Sequence, residues 1–155
     1  MLQTTLTFVF NKTGKILLAM KKRGFGEGKW NGAGGKLEEG ESIEQAAVRE
    51  LHEEAWVEVT TEKLENVGVL HCFFTANPEN NRDVHVFVVR DYTGAVEETE
   101  EMRPQWFGTD EMPYDDMWDG DKYWIPRLLD GEKIEFELVF DEDGYVEEYV
   151  EIYNG

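Results

Sequence analysis

Two hydrophobic rhythms run along this chain, and their order predicts its elements. Residues 2–10 are rich in threonine, valine and phenylalanine and read as a first strand, closed by a turn at Asn11-Lys12-Thr13-Gly14. Residues 15–22 read as a second strand, with Ile16, Leu18 and Met20 alternating against Leu17, Ala19 and Lys21. Between Gly24 and Gly35 the rhythm stops. Six of these twelve residues are glycine, so the stretch reads as a loop whose backbone N–H groups can approach a ligand closely. A helical period then takes over: Ala47, Leu51 and Ala55 form one apolar stripe. Ser42 and Gln45 start that helix as a capping box, and Glu44 adds negative charge where the helix dipole favours it.

Beyond the helix, residues 57–60, 66–75 and 83–92 read as strands, with a polar loop at 76–82. Residues 105–109 are short and extended, and 121–130 look helical, with Tyr123, Trp124, Leu128 and Leu129 as the apolar side. Residues 134–140 and 145–153 flank Asp143-Gly144, a hairpin signal. Strands and helices mix without regular βαβ alternation, which predicts an α+β fold with a mixed β-sheet between helices.

At 155 residues the chain is expected to form one domain, residues 1–155, with a core of its own. Cys72 is alone, so there is no disulfide framework, and it reads as a small buried hydrophobe at a strand end. The N-terminus lacks a basic leader, and no apolar run approaches the ~18 residues of a membrane span. The expectation is a soluble, cytoplasmic protein without a membrane partner. A net charge of −19 argues against polymeric nucleic acid. Residues 1–50 carry +2 and the remainder −21, so only the part containing the glycine stretch is not strongly acidic. An anionic substrate therefore needs a divalent cation to neutralise it locally. Oligomeric state is left open by the sequence.

Glu50, Glu53 and Glu54 stand at i, i+3 and i+4, so their carboxylates share one helix face. Like charges at that spacing repel by a few tenths of a kcal/mol per pair, and Glu53 and Glu54 also lie towards the negative end of the dipole. Taken alone, three such glutamates would read as a solvated acidic face. What precedes them changes the reading. Gly35 is followed after five residues by Glu41, after seven more by Arg49-Glu50-Leu51, and after one more by Glu53-Glu54. A Walker loop is excluded, because Lys36 is followed by Leu37 and Trp30 stands where its first glycine belongs.

That spacing resembles the Nudix box, the signature of hydrolases acting on nucleoside diphosphates linked to another group. The resemblance extends to Lys21-Lys22-Arg23-Gly24-Phe25-Gly26, Lys29-Trp30-Asn31-Gly32, Asp83-Val84-His85-Val86-Phe87, Glu101-Met102-Arg103-Pro104 with Trp106-Phe107, and Asp116-Met117-Trp118. These look like the branch that hydrolyses oxidised purine nucleoside triphosphates such as 8-oxo-dGTP.

The resemblance implies an α/β/α sandwich, Mg²⁺ (with Mn²⁺ as a substitute) and a small nucleotide substrate cleaved to monophosphate and pyrophosphate. It implies metal binding by Glu50, Glu53, Glu54, the Gly34 carbonyl and Glu101, with Glu53 a candidate general base. Glu41 and Arg49 would pair to hold loop against helix. Thr5, Lys21, Phe25, Asn31, Trp118 and Asp121 would line the nucleobase pocket, with Gly35, Lys36 and Asp119 completing the substrate set. Alternatives are a Nudix hydrolase of another nucleotide, such as a dNTP or a nucleotide sugar, and a silent nucleotide-binding module.

Two positions depart from the pattern. Trp56 replaces the glycine that would close the helix in a left-handed conformation, where a tryptophan costs about 1–2 kcal/mol. The expectation is that the helix ends differently and re-aims Glu54. Gly120 replaces the first of two adjacent aspartates, so that Asp119 substitutes by a one-residue shift or a base contact is lost.

Overall fold

A nine-stranded mixed sheet is built around β1 (Leu2–Phe10), the strand that touches both halves of the molecule. The computed structural model describes residues 1–24 and 26–152; Phe25, expected in the base pocket, and Tyr153 lie outside them. β1 pairs antiparallel with β2 (Ile16–Lys21) and, along its other half, with β4 (Ala33–Lys36). β3 (Trp30–Asn31) pairs with β2. Helix α1 (Ile43–Ala55) follows, then β5 (Glu65–Phe74) and β6 (Arg82–Val89). β6 runs parallel to β1, with Leu2 opposite Arg82 and Val9 opposite Val89. β7 (Met102–Phe107) adds to β2, and helix α2 (Asp121–Leu129) leads into the hairpin of β8 (Ile134–Phe140) and β9 (Val146–Glu151). The main path is β3-β2-β1-β6-β5-β8-β9.

Strand alternation divides the core in two. On one face Leu6, Phe8, Phe10, Leu18, Leu70 and Val88 pack with Trp124, Ile125 and Leu128 of α2. On the other, Val9, Leu17 and Val89 pack with Leu51 and Ala55 of α1 and with Val57. Helices thus cover both faces of a mixed sheet, the α+β sandwich expected. Among the described residues no helix is long and apolar enough to cross a membrane.

Three expectations about elements change. The glycine stretch is more ordered than a loop, because Trp30–Asn31 and Ala33–Lys36 are strands. A Cβ at Gly34 would stand 1.9 Å from the Thr5 carbonyl oxygen, so only a glycine lets β4 lie this close to β1. Residues 57–60 do not form a strand: a single bridge joins Glu58 to Thr93. β7 begins at Met102 rather than at residue 105, because its pairing with β2 runs from Lys21–Met102 to Ile16–Phe107.

The fourth correction concerns the end of α1. The capping box forms as expected: the Gln45 N–H donates to Ser42 Oγ at 3.1 Å, and the Ser42 N–H donates to Gln45 Oε1 at 2.9 Å. At the other end Trp56 does adopt the left-handed conformation, with φ 59° and ψ 21°. It is the one non-glycine residue with positive φ among the described residues. Its N–H donates to the His52 carbonyl at 3.0 Å, and the next N–H, of Val57, donates to that of Leu51 at 3.3 Å. Val57 is completely buried, a gain of about 1.5–3 kcal/mol that offsets the strain. The indole itself stays 47% exposed, edge-on to His52. Trp56→Gly is therefore expected to stabilise the protein by about 0.5–1 kcal/mol, the relief of strain less the entropy of the glycine. A thermal melt should show a rise of about 1–4 °C; a fall would mean that the His52 contact outweighs the strain.

Candidate active site

α1 presents its acidic residues to the edge of β4. Arg49 sits among them and organises the loop between β4 and α1. Its Nε and Nη2 donate to the two oxygens of Glu41 at 2.8 and 2.9 Å. Nη1 reaches Glu50 Oε1 at 2.7 Å and Glu53 Oε2 at 3.2 Å, and Nη2 also donates to the Lys36 carbonyl at 3.1 Å. A planar fork suits this task in a way that an ammonium would not. Hydrogen bonds from Arg49, reinforced by the Glu38 N–H, hold the Glu41 carboxyl down at about 2.

The three glutamates of α1 do not share one environment. Glu53 is 55% exposed, whereas Glu50 is 14% exposed and lies against Gly35. A Cβ at Gly35 would come within 2.7 Å of Glu50 Oε1, so the glycine makes room for that carboxylate. Glu54 reaches furthest inward: Oε1 accepts the Gly34 N–H at 2.7 Å. Burial first, and the charge of Glu50 second, push the Glu54 carboxyl up to about 8, while the Gly34 N–H and Lys21 pull the other way. Burial also raises Glu50, against the pull of Arg49. Both carboxyls are raised chiefly by burial; the charge of Glu50 adds to this at Glu54, and the charge of Glu53 adds to it at Glu50.

Beside Glu54 opens a cleft of about 230 Å³ between the sheet and α2. It gathers Thr5, Lys21, Asn31, Gly34, Gly35, Glu54, Trp118 and Asp121 of the sequence-derived set. Trp118 forms a wall, with Lys29 Nζ 5.5 Å from its ring centroid. Asp121 opens α2 and is almost wholly buried. Its Oδ1 accepts the Trp124 indole N–H at 3.2 Å, and its Oδ2 has no partner among the described residues. Burial, then the nearby negative Asp119, pushes its carboxyl up to about 8. A buried oxygen without a partner costs about 1–3 kcal/mol, so Oδ2 stands available to a hydrogen-bonding group that enters the cleft.

Other expected residues are placed elsewhere. Asp119 points away from the cleft: Oδ2 accepts the Val146 N–H at 2.7 Å and Oδ1 faces Lys122 at 3.3 Å. It therefore does not stand in for the missing aspartate. Gly120 has φ 104°, and a Cβ there would meet Val146 Cγ2 at 2.9 Å, so this backbone excludes an aspartate at 120. Lys36 lies outside the cleft and contributes its carbonyl to Arg49. Glu101 is 68% exposed and pairs with Arg23 at 3.3 Å, and it is not among the residues that line the cleft. The cleft also contains residues that sequence reasoning missed, among them Lys29, Cys72, Phe74, Arg82, Met102 and Phe140. Strand alternation puts Cys72 and Phe74 on one face with Leu70, but it does not say that this face lines a cleft.

The carboxyl set fits a hard divalent cation. Among the described residues no three His, Cys, Asp or Glu side chains form a closed metal cage. Magnesium does not need one, since it is held by one or two carboxylates and completes its shell with phosphate oxygens and waters. Glu50 and Glu54, half-buried side by side against the Gly34–Gly35 backbone, offer that kind of half-site.

The NUDIX domain family matches residues 2–128. The chain belongs to the Nudix family. It is 50% identical over 119 residues to an oxidized purine nucleoside triphosphate hydrolase of Mus musculus, covering 77% of this chain and 74% of the relative. A relative of the same description from Danio rerio is 50% identical over 116 residues, covering 75% and 72%. Among solved structures, a MutT protein from Bacillus halodurans superposes with a TM-score of 0.83 at 24% identity, covering 97% of each chain, a likeness of fold. In Nudix terms the helix bearing the box is α1, and the strand that its glycines form is β4.

Proposed function

We propose that this Nudix hydrolase cleaves oxidised purine nucleoside triphosphates such as 8-oxo-dGTP to the monophosphate and pyrophosphate, in a Mg²⁺-dependent reaction that Mn²⁺ also supports. The observation that carries the reading is the pairing of two ends in one cleft. Glu54, bonded to the glycine strand, lies at one end, and Asp121 with its unpartnered oxygen faces the same cavity. The mouse and zebrafish relatives, named for that substrate class, support it.

The polyphosphate would lie against Gly34 and Gly35, where the absence of side chains lets it approach α1. A cation held there by Glu50 and Glu54 would neutralise phosphate charge and lower the pKa of a bound water. Lys21, close enough to lower the Glu54 pKa, adds positive charge at this end. Glu53, the exposed member of the trio, is the candidate to take a proton from water. Arg49 keeps Glu50 and Glu53 in place. At the other end Trp118 offers a face for stacking, while Asn31 and Asp121 read the edge of a purine. The left-handed cap at Trp56 removes the reason to favour a silent module, because the end of α1 keeps the geometry that the missing glycine would supply.

The test is a substrate panel in Mg²⁺. Hydrolysis, followed as the nucleoside monophosphate formed, should be fastest with 8-oxo-dGTP, slower with dGTP, and slow or absent with ATP and ADP-ribose. Preference for ADP-ribose, or no turnover of any nucleoside triphosphate, would overturn the proposal.

A further inference from the structure

His71 lies behind the cleft, on the other side of the sheet. Leu70 and Cys72 of β5 pack towards α2, so strand alternation turns His71 to the opposite face. On that face α1 packs chiefly over β1 and β4 rather than over β5 and β8. Both ring nitrogens of His71 meet a carboxylate. Nδ1 lies 2.7 Å from Asp83 Oδ1 on β6, and Nε2 lies 2.8 Å from Glu135 Oε2 on β8. All three side chains are about one quarter exposed. The bonding continues to β1: Gln3 Nε2 donates to Asp83 Oδ2 at 3.0 Å, and His85 Nε2 stands 2.7 Å from Gln3 Oε1. One network thus crosses four neighbouring strands, β1, β6, β5 and β8.

The geometry dictates a protonation state. An ionised carboxyl accepts hydrogen bonds and donates none. A neutral imidazole carries a single N–H, so one of its two contacts would set a nitrogen lone pair against a carboxylate oxygen. The imidazolium has an N–H at each nitrogen and satisfies both in charge-assisted bonds. Burial opposes the charge on His71, but the bonds to Glu135 and Asp83 outweigh it and raise its pKa. Burial likewise opposes the charge on Asp83, yet bonds from Gln3 and His71 hold its carboxyl below the usual range. Glu137, opposite His71 in the β5–β8 register, adds a further negative charge on this face. His85 is lowered, burial outweighing the pull of Asp83 and of Glu44 on α1. Arg127 and Lys133 share a groove with Glu135 and His85 at the ends of these strands.

We propose that His71 is a proton-dependent clasp, whose imidazolium ties β6 and β8 to β5 behind the cleft and lets go as pH rises. The strands it joins wall the cleft on their other face, through Leu70 and Cys72 of β5, Val84 of β6, and Leu138 and Phe140 of β8. The sign follows from linkage. A histidine that binds its proton more tightly when folded stabilises the fold fully below the ordinary imidazole pKa of about 6.5. That contribution disappears as pH rises through the higher folded value.

The experiment reads the His71 ring by ¹⁵N NMR in the whole protein across a pH titration. At neutral pH both ring nitrogens should carry a proton, and Asp83→Asn and Glu135→Gln should each move the titration midpoint down. A ring with one N–H at neutral pH would overturn the inference, as would a midpoint that neither substitution moves. Thermal melts of wild type and His71→Gln give the second measurement. Wild type should melt about 3–5 °C higher at about pH 5.5, and the gap should close by about pH 9. Titration of Glu54 is common to both proteins and cancels in that difference. A gap that is absent at the lower pH, or that stays constant as pH rises, would overturn the clasp.

Discussion

Glu54→Gln should lower the Mg²⁺-dependent release of pyrophosphate by about 10³-fold or more, while making the metal-free protein more stable. The two effects share a cause. Glutamine keeps an oxygen for the Gly34 N–H but cannot ionise, so the cost of covering a carboxylate next to Glu50 is gone. The pH dependence has a definite sign. Folding raises the Glu54 pKa to about 8, well above the usual carboxyl value, so the folded protein binds a proton that the unfolded chain releases. Stability of the metal-free wild type should thus fall as pH rises from about 5 to 9, and Glu54→Gln should flatten that slope. Kinetics with 8-oxo-dGTP and melting curves in chelator at several pH values measure both. A variant that retains a tenth of the wild-type rate would remove Glu54 from the centre of the reaction.

Arg49→Met should destabilise the fold by about 2–3 kcal/mol and abolish hydrolysis together with it. Methionine fills a similar volume but cannot bond Glu41, Glu50, Glu53 or the Lys36 carbonyl. Glu41 and Glu50, both largely covered, would then face each other without their shared cation. The expected fall in melting temperature is about 5–10 °C. Arg49→Lys should recover part of the stability and little of the activity, because one ammonium cannot serve the Glu41 fork and Glu50 at once. A stable, active Arg49→Met protein would show that the loop between β4 and α1 is held by something else.

The parts of the site that lie close together in the chain were legible without coordinates. The Ser42–Gln45 box and the apolar stripe of α1 follow from spacing on one helix and the turn before it, and the family resemblance supplied the bond between Arg49 and Glu41. Spacing also put Glu50 and Glu54 side by side, although it treated Glu53 as their equal. Its greater exposure depends on what β4 covers. Trp56 was misjudged because a local cost was weighed without the gain from burying Val57, which appears only when α1 meets the sheet. Of the two alternatives at Asp119, the structure takes the lost contact for a related reason: its carboxylate is taken by a backbone N–H on β9, 27 residues away.

By itself the sequence determined the mixed α+β composition, the helix that bears the carboxylates, its cap, and the family pattern that joins them to a glycine-rich approach. These depend on interactions over a few residues, where periodicity and side-chain chemistry are sufficient. Only the tertiary structure decided that the glycines form a strand against β1, that the left-handed turn survives with a tryptophan, and that Arg82, Cys72 and Phe74 share a cleft with Asp121. Each of these depends on strand register. A register brings together residues distant in the chain, and the energy that selects it comes from packing the whole sheet between α1 and α2.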